Sequence, residues 1–270
     1  MRLGPIRLPA ALALATAALL QACSSPRLAR PTPVTILSYN VKHGVGMDGV
    51  LDLERAAAVI RAQDPDVVVL QEIDVGCGRS DGVDQARRLA ELCGEDMRAE
   101  FGPFMDFDGG QYGMAILSRL PITAVHNRRL PDGAEPRTAL EVRVQCGAVG
   151  PTLIVTGVHL YRTEAERLHQ AELLLDLYED EELPVLLVGD FNSQRGDAVM
   201  TRLEEEFTNP AKQGPAGTFP APLPVREIDF VLLRPAARFE ITAHRVVDEP
   251  MASDHRPVRI DLEVDHPPLQ

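Results

Sequence analysis

Eight short runs rich in aliphatic and β-branched residues constrain this chain more than any other feature: Val34–Tyr39, Asp66–Leu70, Met114–Leu117, Leu140–Val144, Leu153–Val158, Val185–Val188, Ile228–Leu233 and Val258–Leu262. A run that is apolar at consecutive positions, rather than at alternate ones, describes a strand covered on both faces. Four segments between them, Leu51–Gln63, Gly82–Leu92, Glu164–Tyr178 and Gly196–Glu206, carry helical patterns. The third sets Leu168, Leu174, Leu175 and Tyr178 on or near one face, against a charged opposite side. Strands outnumber helices about two to one, which does not fit a regular βαβ alternation. The expected class is therefore α/β (α+β), with mixed β-sheets and helices outside them.

The chain before the first run has a different character. Arg2 and Arg7 precede an apolar stretch from Leu8 to Leu20, too short to span a bilayer in comfort. It closes in Leu20-Gln21-Ala22-Cys23, which resembles a bacterial lipobox, although Gln21 stands where a small residue is usual. The expectation is a lipoprotein signal over residues 1–22, lipidation at Cys23, a tether over 23–33 with three prolines, and a working domain over 34–265. An ordinary secretory signal or anchor is the alternative, and it too places the domain outside the cytoplasm. Ser24 after the cysteine, with no acid nearby, points to the outer membrane, facing periplasm or surface.

Charge narrows the function classes. Residues 1–22 hold two arginines and no acid, so their removal takes the formal charge from -13 to -15 over 248 residues. Binding to duplex DNA draws on Lys and Arg releasing counterions from phosphates, and a surface this acidic repels long polyanions. With no Trp and four Tyr there is no aromatic and basic strip for a processive nuclease. Beyond Cys23 the cysteines are Cys77, Cys93 and Cys146. Export permits a Cys77–Cys93 bridge, three small buried thiols are the other reading, and the odd count leaves one over.

The chemistry lies in what closes the strands. Asn40 follows Thr35–Tyr39, Glu72 follows Val67–Gln71, His159 follows Ile154–Val158, and Asp190 and Asn192 follow Val185–Gly189. One polar terminator is unremarkable, but strand ends on one edge of a sheet can converge on a common crevice. Asp229, inside an apolar strand, and Ser253-Asp254-His255, just before the last one, extend the pattern. An aspartate in such a strand is costly without a partner. If Glu72, Asp190 and Asp254 converge, either their pKa values rise or a divalent cation keeps them ionised. An all-oxygen set favours Mg2+ or Mn2+ over zinc. Such ions usually act on phosphate, leaving His159 and His255 to bond a phosphoryl oxygen or move a proton.

In order, Ser38-Tyr39-Asn40, Leu70-Gln71-Glu72, Gly157-Val158-His159-Leu160, Gly189-Asp190-Phe191-Asn192, Ile228-Asp229-Phe230 and Ser253-Asp254-His255-Arg256-Pro257 resemble the motifs of the metal-dependent endonuclease/exonuclease/phosphatase superfamily. The resemblance runs from about residue 34 to 263. It implies a four-layer sandwich of two mixed β-sheets flanked by helices, hydrolysing phosphoesters at one end. By position it implies that Glu72 and Asn40 hold the metal, with Asp254 a further contributor. Asp190 and Asn192 would orient the attacking water and the phosphate, or bind a second metal. His255 would be the base or a phosphate contact supported by Asp229, and His159 the second phosphate-side histidine. Whether His255 or Asp190 takes the proton stays open.

Around these lie local candidates. Tyr112 and Arg119, in a further segment that matches the superfamily, either face the cleft or simply pack. Arg137 and Arg162 are candidate phosphate clamps, since guanidinium matches phosphate geometry, against a solvated surface role. His43 is a candidate for the same loop region as Asn40. Asp106–Gly110 reads better as a polar turn than as a calcium loop. Gly44-Val45-Gly46-Met47-Asp48-Gly49 satisfies GxGxxG, but its distance to Glu72 exceeds the usual ~20 residues, so a loop bordering the metal site is preferred over a dinucleotide cradle.

The expected activity is hydrolysis of a small or lipid-linked phosphoester, most readily a diester, in the cell envelope, with a secreted nuclease as the alternative. A lipid-anchored binding protein without catalysis is the rival of a different class. It would have lost at least one motif residue, and none is missing. The implied partners are the substrate and, through lipid, the membrane; no stable protein partner is implied.

Overall fold

In the computed structural model, residues 1, 4, 31–131 and 133–265 are described. Cys23 and the signal reading lie outside that set. Among the described residues, no helix is long and apolar enough to cross a membrane.

Among the described residues, eleven strands form two sheets. The first holds β1 (Thr32–Asn40), β2 (Val67–Val75), β3 (Arg98–Phe107), β4 (Gly110–Ser118), β10 (Phe239–Val246) and β11 (Val258–Val264) in the order β10-β11-β1-β2-β4-β3. The second holds β5 (Ile122–Arg129), β6 (Thr138–Gln145), β7 (Thr152–His159), β8 (Val185–Asp190) and β9 (Asp229–Arg234) in chain order. Each sheet has one parallel pair, β1 with β2 and β7 with β8; the other neighbours are antiparallel. A parallel pair needs a crossover, and α1 (Leu53–Gln63) and α3 (Glu164–Tyr178) supply the two. With α2 (Gln85–Cys93) and α4 (Ala198–Leu203) the molecule is the four-layer α/β sandwich expected.

The apolar runs follow from the layering. Val67 and Val69 point between the sheets to meet Leu140, Val142, Val155 and Val188. Val68 and Leu70 point outward to Ile60 of α1 and Leu89 of α2. In the second sheet Val155 and Val188 face inward, whereas Ile154 and Leu187 pack under Leu174 and Tyr178 of α3 and Met200 of α4. Both faces are dry, so alternation disappears. The side chains of Asp52 and Asp84 cap α1 and α2, accepting from the backbone N–H of Arg55 and Arg87 at 3.0 Å each.

Three strands, β3, β5 and β10, were not expected. All three are sheet edges. β5 alternates and is largely exposed, and β10 buries only His244. Cys77, Cys93 and Cys146 are free, buried thiols, which decides between the two cysteine readings. The glycine-rich segment is no helix-opening cradle: Val45 and Leu51 bridge across its loop, and Asp52 opens α1. Gly46 sits against Met251, where a Cβ would come within 2.8 Å of the Met251 carbonyl. Asp108 makes the β3–β4 turn and accepts the Arg79 backbone N–H at 2.6 Å.

Candidate active site

Sheet register gathers the polar strand ends. His159 lies opposite Asp190 on the parallel β7–β8 pair, and Asp190 lies opposite Asp229 on β8–β9, forming a row across the end of the second sheet. Gly189 permits the close approach: at φ 149° a Cβ there would stand 1.9 Å from the Val158 carbonyl. On the first sheet, Asn40 pairs with Gln71. The register of β2 with β4 then shifts between Gln71 and Ile73, so Glu72 is a bulge residue, at φ 59°. A bulge inserts one extra residue into a strand and re-aims its side chain. Here it turns Glu72 into the cleft.

The two sheet ends meet. Asn40 Nδ2 donates to Glu72 Oε1 at 3.1 Å and to Asp190 Oδ2 at 3.3 Å. His159 Nε2 and His255 Nε2 stand 3.6 and 3.7 Å from the same Asp190 oxygen. Asp229 Oδ2 is 2.9 Å from His255 Nδ1 and fixes which ring nitrogen faces Asp190. Asn192, at φ 50°, donates its backbone N–H to Asp190 Oδ1 at 2.8 Å and its amide to the Leu160 carbonyl at 2.9 Å. Ser253 Oγ donates to the Asn40 carbonyl at 2.7 Å, tying the loop before β11 to the end of β1.

These contacts set the charge states. Burial pulls the His255 imidazole down, but the Asp229 and Asp190 carboxylates together outweigh it and lift its pKa to about 10. His159 is driven well below the ordinary histidine value by burial, then by Arg137, His255 and Arg162. Burial raises Asp190, and the Asp229 charge adds to it. Glu72 is raised by burial against the opposing Asn40 bond. The arrangement therefore holds a charged and a neutral imidazole on either side of one carboxylate with a raised proton affinity.

Around this group opens a cleft of about 730 Å³. Glu72, His159, Asp190, Asn192, Asp254 and His255 line it, as do Arg137 and Arg162. Asn40 and Asp229 are buried behind the lining. The Endonuclease/Exonuclease/phosphatase family model matches residues 37–255, from β1 through the Ser253–His255 loop. The chain belongs to that family.

Over 163 residues it is 34% identical to the uncharacterized protein YbhP of Escherichia coli K12, spanning 57% of this chain and 64% of YbhP. The chain thus spans somewhat less than two thirds of the length of the curated relatives it matches. Among solved structures, an endonuclease/exonuclease/phosphatase from Beutenbergia cavernae is 26% identical with a TM-score of 0.72, covering 88% of this chain and 73% of that one. A family protein from Bacteroides thetaiotaomicron is 20% identical with a TM-score of 0.75, covering 88% of this chain and all of that one. Members of this family are phosphoester hydrolases that generally use divalent metals.

Whether the residues fit a divalent ion can be tested on their bonds. Asp190, Asp229 and His255 each bring a donor atom within 4.8 Å of the others, but His255 Nδ1 is already bonded to Asp229 and its positive charge offsets part of theirs. Glu72 has no ion-pair partner among the described residues and lies open to the cleft, as an oxygen ligand should. Asp254 also lines the cleft, but Lys42 Nζ stands 3.1 Å from its Oδ2. Asn40 turns its amide nitrogen toward the carboxylates while its Oδ1 accepts the Lys42 N–H at 3.1 Å. A divalent ion fits at Glu72, with Asn40 joining only after its amide turns over and Asp254 only by sharing with Lys42.

Two other candidates stand elsewhere. His43 does not line the cleft: its Nδ1 is buried without a partner, and its carbonyl accepts from Gln85 at 2.8 Å. The reason is local, since Lys42 and His43 both take left-handed backbone in the turn after β1. Arg119 pairs with Asp64 and Asp96 beyond the cleft, whereas Tyr112 does line it. Sequence reasoning missed Arg79, Arg167, Phe219 and Arg226, all lining residues. Each sits in a loop or on a helix, where no strand end marks it.

Proposed function

We propose that this chain is a divalent-metal-dependent hydrolase of small phosphoesters, most readily diesters, working in the bacterial envelope. The observation that carries the reading is Asp190 held 3.6 and 3.7 Å from the Nε2 atoms of two histidines, one of them backed by Asp229 at 2.9 Å. A cleft of about 730 Å³ suits a small ligand, and the formal charge of -13 disfavours a nucleic acid.

The division of labour follows from the charge states. His255 is an imidazolium at neutral pH, so it receives a phosphoryl oxygen rather than a proton. His159, neutral, donates a hydrogen bond to the phosphate or leaving-group side. Asp190, with its raised proton affinity, takes the proton of the attacking water as the new oxygen–phosphorus bond forms and the bond to the leaving oxygen breaks. Asn192 keeps the Asp190 carboxylate oriented through its 2.8 Å bond. Arg137 balances phosphate charge beside His159. Glu72, with Asn40 and Asp254, would hold Mg2+ or Mn2+, which supplies Lewis-acid stabilisation of charge on the phosphoryl oxygens.

The test is turnover by the full-length chain, with Mg2+ and with chelator, of bis-p-nitrophenyl phosphate, a phosphomonoester, sphingomyelin, plasmid DNA and RNA. Metal-dependent turnover of the diester or lipid supports the reading, turnover of nucleic acid alone selects the nuclease, and no turnover of any member refutes hydrolysis. The envelope location rests on the lipobox-like sequence ending at Cys23. Replacing Cys23 by Ser releases the protein from the membrane fraction or blocks its processing, and unchanged retention with normal cleavage refutes the anchor.

A further inference from the structure

The chain is strongly acidic, yet Arg79, Arg137, Arg162, Arg167 and Arg226 all line one cleft. Three are already engaged. Arg79 forks onto Asp74 through two bonds of 2.8 Å. Arg137 pairs with Glu135, and Arg167 donates to the backbone carbonyls of Arg162 and Tyr161. Arg162 and Arg226 differ: among the described residues neither guanidinium holds a carboxylate or a carbonyl. Arg61, Arg87, Arg195 and Arg202, also at the surface, all do.

Both free guanidiniums are carried on braced backbone. Arg167 grips the Arg162 carbonyl from below, and Arg226 is bridged to Phe219, over whose ring its guanidinium lies at 4.6 Å. Both line the cleft that holds the reacting group. Arg162 stands three residues past His159 and acts on its charge, while the Phe219 ring beneath Arg226 is 4.8 Å from the His255 ring. The single charge of a phosphodiester is already met by the His255 imidazolium, with a hydrogen bond from neutral His159 beside it. Two further cations, unneutralised by a protein rich in carboxylates, are surplus to a singly charged diester.

We propose that the substrate carries a second anionic group, phosphate or carboxylate, besides the ester that is hydrolysed, with Arg162 and Arg226 as its counter-charges. The inference rests on the phosphoester reading above and narrows its substrate class. Guanidinium suits the task because its planar fork matches both anions.

The experiment compares three probes on one carbon skeleton: glycerol phosphate, phosphoglycerate and glycerol bisphosphate. They carry no second anion, a carboxylate and a phosphate respectively. Affinity of the full-length protein for each is read by calorimetry, and hydrolysis separately. The two-anion probes should bind the wild type about tenfold more tightly than glycerol phosphate, and Arg162→Met or Arg226→Met should remove most of that advantage. Arg→Lys at the same position should keep part of it. Which two-anion probe gains more identifies the second group. Equal affinity for all three probes, or an advantage untouched in both Met variants, overturns the proposal. A persisting advantage with no hydrolysis of these probes or of bis-p-nitrophenyl phosphate would count against the hydrolase reading and leave the second-anion site standing, whereas hydrolysis without any advantage would do the reverse.

Discussion

Replacing Asp229 by Asn tests the electrostatic core of the site. Asp229 Oδ2 lies 2.9 Å from His255 Nδ1 and, once burial has pulled the imidazole down, is the first of the carboxylates that lift it to about 10. A rise from 6.5 to about 10 amounts to on the order of 4–5 kcal/mol of preference for the charged ring. Asn keeps the shape and removes the charge. Burial then opposes only Asp190 and Asp254, and the proton affinity of His255 falls. In kcat/KM profiles for bis-p-nitrophenyl phosphate with Mg2+, the alkaline limb set by His255 should move from near pH 10 to distinctly lower pH. Above the shifted limb, activity should fall by about tenfold per pH unit as the charged fraction is lost. The linked stability has a definite sign. A histidine whose folded pKa is raised stabilises the fold fully below its unfolded value of 6.5, and that stabilisation is lost as pH rises toward about 10. The wild type should therefore lose melting temperature across that window more steeply than Asp229→Asn. Coincident alkaline limbs in the two proteins would refute the imidazolium assignment.

Other consequences are checked more briefly. Glu72→Gln should raise the Mg2+ concentration needed for half-maximal turnover by at least about tenfold while leaving near-ultraviolet dichroism unchanged, since one charged ligand becomes neutral. Tyr178→Phe should cost about 1–3 kcal/mol in urea unfolding, because its hydroxyl donates to buried Glu141 at 3.1 Å and pairs with Thr156 at 2.6 Å. His244 is held down to about 3 by burial and then by Lys212, so the unfolded chain takes up its proton first as pH falls below 6.5. Stability should drop by on the order of 2 kcal/mol between pH 7 and 5 through this group, and His244→Leu should flatten that part of the melting profile.

Much of this fold was legible because its central strands are dry on both faces, and continuous apolar sequence reports that condition directly. The three missed strands show the limit. β3, β5 and β10 lie at sheet edges, half in water, so Ile122–Arg129 and Phe239–Val246 carry no continuous apolar run. β9 is also an edge but was visible, since its residues from Asp229 to Leu233 are buried.

In the site, the strand-terminal residues were readable because register carries them together: His159, Asp190 and Asp229 are sheet neighbours. What surrounds them depends on side-chain direction, which sequence does not encode so simply. The bulge at Glu72, the bond of Lys42 to Asp254 and the turning of His43 away from the cleft each arise from one or two backbone angles. The cleft arginines come from a single helical turn at Gly78–Ser80, a loop, a helix and a bridge, and only the folded chain brings them to one place.

The most direct measurement is steady-state turnover of bis-p-nitrophenyl phosphate with Mg2+ by the wild type, His159→Ala, Asp190→Asn and His255→Ala, each verified as folded. The wild type should turn over only with the metal, and each variant should lose several orders of magnitude in kcat/KM. Near wild-type turnover by any one of the three would contradict a reaction centred on Asp190 between two histidines.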